Sequence, residues 1–135
     1  MRSSDVKATI QRNTAEIVRL HDRVHETVRY RHLNAESREA WKRACAEFHE
    51  RFDGLAFPGG YGDAANRILA GDAYTIEAAL CFLEVRPYFF RSGYMYSALL
   101  RKTKRATLDP AQADRLKAIL DRDAAWRAKK GRGVV

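Results

Sequence analysis

Residues 4–31 read SDVKATIQRNTAEIVRLHDRVHETVRYR. Ile10, Ile17, Leu20, Val24 and Val28 recur at intervals of three, four and seven, and charged side chains fill the other faces. No Gly or Pro interrupts the run. The pattern predicts one amphipathic helix about 40 Å long at 1.5 Å per residue. A break is expected, if anywhere, at Asn13-Thr14, two poor helix formers that favour caps.

The rest of the chain keeps the same period. Asn34 is a good N-cap, with Glu36 and Glu39 in the first turns and a stripe of Trp41, Cys45, Phe48 and Phe52 behind it; Asp53-Gly54 should end that helix. Residues 54–63 hold four Gly and one Pro and predict a loop, with Phe57 and Tyr61 tacking it to the core. Asp63 opens a short helix to Ala70, with Gly71 behind it. Asp72 begins the next helix, whose apolar positions include Ile76, Ala79, Leu80 and Leu83, and Pro87 stops it. Pro87 can also sit in the first turn of a successor over 88–105. Asp109-Pro110-Ala111-Gln112 combines a cap, a Pro at the first helical position and a Gln that closes a capping box; Leu116, Ile119, Leu120 and Trp126 follow. No run of alternating β-branched residues predicts a strand. The fold class is therefore all-α: one domain over 1–130, a bundle of five or six mostly antiparallel helices, followed by a disordered tail at 131–135.

Composition narrows the setting. The 135 residues are 46% hydrophobic and 31% charged, which suits a globular chain with a real core. Cys45 and Cys81 fall inside apolar helical patterns and read as two buried free thiols. The N-terminus lacks a signal-peptide core, and no uncharged stretch approaches the length of a bilayer span. A reduced, cytoplasmic protein without membrane contact is expected.

Charge is segregated. Residues 86–135 carry eight Arg and five Lys against four Asp, a net +9, while the whole chain is +8. Between Glu84 and Asp109 there is no acid, and five aromatic rings lie among the cations. On a helix, Arg91, Tyr94, Ala98, Arg101 and Arg105 form one stripe, with Met95 and Lys102 beside it. The opposite stripe is Phe89, Gly93, Tyr96, Leu100 and Thr103, and Gly93 would admit a close helix neighbour. Arg91, Tyr94, Arg101, Lys102 and Arg105 are the expected binding residues. Guanidinium groups fork onto phosphate or carboxylate, and a tyrosine ring stacks on an exposed base. The expected partner is an acidic protein or a nucleic acid, bound without catalysis and without a cofactor. No zinc-finger, no Gly-X-X-Gly loop of the RNA-clamping kind and no aromatic β-platform motif accompanies the patch.

A second class rests on His21, His25, His32 and His49. His21 and His25 share a helix face, and Glu16 or Asp22 nearby would complete a metal site. Arg19 and His25, like Arg43 and His49, have five residues between them. This spacing resembles the Arg–His element of all-helical HEPN-type ribonucleases, although Leu20 and Ala44 stand where that element has a polar residue. The resemblance implies an Arg that holds phosphate and a His that acts as general acid or base. An all-helical ribonuclease or a metal-dependent enzyme is thus the alternative. The segment Phe57-Pro58-Gly59-Gly60-Tyr61-Gly62 lacks a P-loop pattern and follows no strand. Positions 10, 17 and 24 of the first helix are seven apart and would permit a homodimer.

Overall fold

The structure, a computed structural model, describes residues 2–132. Six helices follow one another: α1 (Ser3–Val28), α2 (Ala35–Ala56), α3 (Ala64–Leu69), α4 (Ala73–Val85), α5 (Ser92–Arg105) and α6 (Pro110–Arg132). There is no strand among the described residues. None of the helices is long and apolar enough to cross a membrane.

α1 is unbroken through Asn13-Thr14, and the Thr14 hydroxyl donates to the Ile10 carbonyl at 2.8 Å, so its polar group is spent within the helix. Three caps act as their sequences predict. Asn34 accepts from the Ser37 N–H at 2.8 Å, and Asp72 from the Thr75 N–H at 2.9 Å. Asp109 accepts from the Gln112 N–H at 2.8 Å while Gln112 accepts from the Asp109 N–H at 2.9 Å, a reciprocal capping box.

Several helix ends differ from the sequence reading, and α1 itself stops at Val28 rather than at 31. α2 passes Asp53-Gly54 and runs to Ala56. Asp53 instead clamps the following loop: its carboxylate accepts from the Gly62 N–H at 2.7 Å and its carbonyl from the Tyr61 N–H at 3.2 Å. Gly60 has φ +91°, and a Cβ there would lie 3.0 Å from the Asp53 carboxylate. Asp63 gives no side-chain cap to α3; it accepts from the Asn66 side chain at 2.9 Å. α6 continues to Arg132, two residues into the segment expected as a tail; the rest of that segment lies outside the described residues.

The core forms around α4. Thr75, Ile76 and every residue from Ala78 to Leu83 are buried, so this helix is wrapped on nearly all sides. α1, α3, α5 and α6 all pack on it, and α1 also lies along α2. Each large apolar side chain removed from water here contributes about 1.5–3 kcal/mol. Phe57 is fully buried against Phe82 and Tyr61 packs at the core edge, as the loop reading predicts. Both thiols are free, but only Cys81 is buried; Cys45 is half-buried, since its α2 face closes over a surface hollow rather than the core.

α6 is fastened by ions as well as by Leu116 and Ile119. Arg115 donates to Glu77 at 2.6 Å and to Glu84 at 2.6 and 3.2 Å. Ser3 donates to Glu77, and Lys7 reaches Glu84 at 3.3 Å, which ties α1 into the same knot. Burial pushes both carboxyls up, but the hydrogen bonds from Ser3 and Arg115 on Glu77, and from Arg115 and Lys7 on Glu84, outweigh it and hold both below the usual range. On α1, Arg19 and Arg51 hold Glu16 at about 2.

These shifts fix the sign of the acid response. A carboxyl with a depressed folded pKa stabilises the fold above its unfolded value, and that contribution is lost as pH falls through the folded one. Unfolding free energy from urea titrations should be flat between about pH 6 and 8 on account of these three groups, then drop steadily from about pH 5 toward 2. A flat profile down to pH 3 would contradict the network.

Candidate functional site

The chain between α4 and α5 decides the surface. The expected helix over 88–105 begins only at Ser92. Arg86 ends α4 in the left-handed region at φ 51°, ψ 62°, and its N–H still bonds the Phe82 carbonyl at 2.8 Å. Arg91 precedes α5 in the same region at φ 67°, ψ 10°. Such conformations cost a residue with a Cβ about 1 kcal/mol or more. The reason lies in the rings between them. Phe89 inserts into the core, 6.0 Å from Phe52 and 6.3 Å from Phe82 between ring centroids. Tyr88 and Phe90, on either side of it, turn outward with 91% and 42% exposure. Residues 89–91 form a turn in place of the expected helix, with the Ser92 N–H bonding the Phe89 carbonyl at 2.9 Å. The Ser92 hydroxyl accepts from the Phe89 N–H at 3.0 Å and fixes the turn.

Phe90 is a platform held from below. His21 of α1 lies 4.9 Å away, Phe48 5.8 Å and Phe52 6.2 Å. The Arg91 guanidinium covers it at 5.3 Å. Around this ring opens a groove of about 1080 Å³, walled by Tyr88, Phe90, Arg91 and Tyr94 on one side and by Val18 and Asp22 of α1 on the other. Tyr94 is 82% exposed. A smaller, apolar hollow of about 620 Å³ lies behind Phe90, between His21, Cys45, Phe48 and His49.

Of the expected binding residues, Arg91 and Tyr94 therefore join the groove. Arg101 and Arg105 are exposed on α5, at helical intervals from Tyr94 that keep all three on one face. Arg105 is eleven residues from Tyr94, about 16 Å along the axis. Lys102 is half-buried at the margin of that face. None of Arg91, Arg101, Lys102, Lys104 or Arg105 has a carboxylate partner among the described residues. The neighbouring stripe differs from expectation. Met95 is buried rather than beside the cations, and Gly93 faces solvent with open space where a Cβ would stand, so no helix approaches it. α5 is rotated so that Ser92, Met95, Tyr96, Leu99 and Thr103 form its inner side.

Not every cation of the acid-free stretch is available. Arg86 bonds Asp123 of α6 at 3.1 Å and stacks on Tyr96 at 4.5 Å and Trp126 at 5.5 Å. Asp123, itself buried, also accepts from the Tyr96 hydroxyl at 2.6 Å. Burial, and then this carboxylate, push the Tyr96 phenol up. The cluster anchors one end of the groove-forming loop to α6.

The early histidines are dispersed by comparison. His21 and His25 do share a face, with ring centroids 4.5 Å apart. Burial, then the neighbouring His25, lower the pKa of His21. No group of three or more His, Cys, Asp or Glu side chains is close enough to hold a metal ion among the described residues. Six positions along a continuous helix turn the chain to faces about 120° apart. Arg19 and His25 on α1, and Arg43 and His49 on α2, are each separated in this way. Arg19 is engaged by Glu16 at 2.5 and 3.0 Å.

Tyr88, Phe90 and the α1 wall escaped the sequence reading. The cluster of rings at 88–90 was a usable signal for the first two. Val18 carries none, and Asp22 stood out only as a metal ligand beside the histidines, because only tertiary packing brings the two to the loop. No family model matches this chain, and neither a curated protein nor a solved structure does.

Proposed function

We propose that this protein binds single-stranded nucleic acid, without catalysis, along the exposed face of α5 and the groove at its N-terminal end. One observation carries the reading: cations free of carboxylate partners share a surface with two nearly fully exposed tyrosines. Exposed rings cost hydration and gain nothing in a solvated helix face, whereas bases stack on them for about 1–3 kcal/mol each. Free guanidinium groups at helical spacing meet successive phosphates of a flexible strand. Two arginines in the left-handed region bracket the platform loop, an investment more often found at binding sites than in plain connections.

The test is anisotropy titration of labelled mixed-sequence single-stranded RNA and DNA across a salt series. With about four phosphates neutralised, log K against log salt should fall with a slope near −2.8 for single strands. The double variant R101E/R105E should weaken binding at least tenfold and make the slope shallower by about one unit or more. RNA and DNA arms of equal affinity point to stacking and phosphate contacts alone; a preference for RNA points to its 2′-hydroxyl. Absence of binding to both at low salt, or affinity untouched by the double reversal, overturns the proposal. An acidic polypeptide that competes as well as the strand would instead favour an acidic protein partner.

A further inference from the structure

The groove contains one feature that a phosphate site would avoid. Asp22 lines it directly opposite the aromatic loop, on exposed α1 surface. Its carboxylate makes no ion pair or hydrogen bond among the described residues. It is therefore free to accept, in a space whose other charged groups, Arg86 and Arg91, are cationic.

Resting on the single-strand reading above, we infer that this groove is a base pocket selective for guanine, with Asp22 as the residue that reads the base. The argument is one of donor patterns. A carboxylate offers two parallel acceptors. On its Watson–Crick edge only guanine presents two adjacent donors, N1–H and the N2 amino group. Adenine and cytosine each place an acceptor nitrogen beside their one amino group, and uracil or thymine flanks a single N–H with two carbonyls. Those edges set lone pairs against the carboxylate and leave it desolvated without a full complement of bonds. Splayed bases of single strands are read on this edge while their faces stack on aromatic side chains.

The rest of the groove fits such a base. Tyr88 and Tyr94 offer open ring faces, and Phe90 is pinned by His21. Arg91 lies between the groove and α5, placed to take the phosphate of the bound nucleotide and pass the strand toward Arg101 and Arg105. The volume, about 1080 Å³, admits a base with its sugar and phosphate.

The probes are labelled uridine heptamers with a central G, A, C or inosine, too short in guanine to form quadruplexes. The central G should bind about tenfold more tightly than A or C, the discrimination expected of one bidentate base contact. Inosine, which lacks the N2 amino group, should fall between. D22N should lose the G preference, bringing the ratio of G to A affinity to about one, while its far-ultraviolet circular dichroism and thermal midpoint match the parent chain; Asp22 has no ion pair or hydrogen bond whose loss would unfold it. Equal affinities for G and A, or a preference that survives D22N, overturns the guanine assignment and leaves strand binding standing. Failure of every heptamer to bind removes the strand reading itself, and the assignment with it.

Discussion

Arg115→Ala is expected to lower the unfolding free energy by about 3 kcal/mol. The guanidinium spans Glu77 and Glu84 with three hydrogen bonds, and both acids are mostly shielded from water. Removing it leaves two carboxylates on one side of α4, Glu77 with Ser3 and the Cys81 thiol and Glu84 with Lys7. The cost is that of uncompensated buried charge, softened because the site retains some solvent. Arg115→Lys should recover part of the loss, since an ammonium lacks the fork that engages both acids at once. Urea denaturation at pH 7 measures both. The alanine variant should also lose less stability on acidification, because Glu77 and Glu84 no longer gain from staying ionised. A loss below about 1 kcal/mol would mean that Leu116 and Ile119 hold α6 by themselves.

Replacing both exposed tyrosines should have the largest effect on binding. Tyr88→Ala with Tyr94→Ala removes two stacking surfaces, each contributing about 1–3 kcal/mol, so affinity for single strands should fall about a hundredfold. The salt slope should stay the same, since no phosphate contact is removed. This separates the rings from the cations: R101E/R105E changes slope and affinity together, the tyrosine pair affinity alone. Both rings are nearly free of neighbours, so far-ultraviolet circular dichroism and thermal midpoint should match the parent chain. Unchanged affinity in the tyrosine pair would reduce the surface to a cation stripe.

How much of this was legible beforehand depends on the range of the interaction. Caps are local, and Asn34, Asp72 and Asp109 sit where the sequence puts them because each bonds a backbone group three residues away. The all-helical class follows from the same short-range periodicity. The start of α5 was misjudged because residues 88–90 have no intrinsic objection to a helix. What prevents one is Phe89 reaching Phe52 and Phe82, contacts set by other helices. Charge told a similar story. The acid-free stretch was visible, but not that Arg86 is spent on Asp123, 37 positions later, while Arg91 has no such partner. The far wall of the groove comes from α1, about seventy residues upstream of the loop it faces, and no local pattern announces such a pairing.

The placement of α4 constrains how the chain can be made. The helix that α1, α3, α5 and α6 all lean on is the fourth in order and closes at Val85, well past the middle of the sequence. On a ribosome adding about 5–20 residues per second, the hairpin of α1 and α2 emerges seconds before its interior partner exists. During that interval Ile10, Ile17 and Phe57 lack the α4 side chains of the cluster they share in the finished fold. Any truncation short of Val85 leaves those side chains without their full partner, whereas the cationic face of α5 is translated afterwards, onto a body whose centre is already filled.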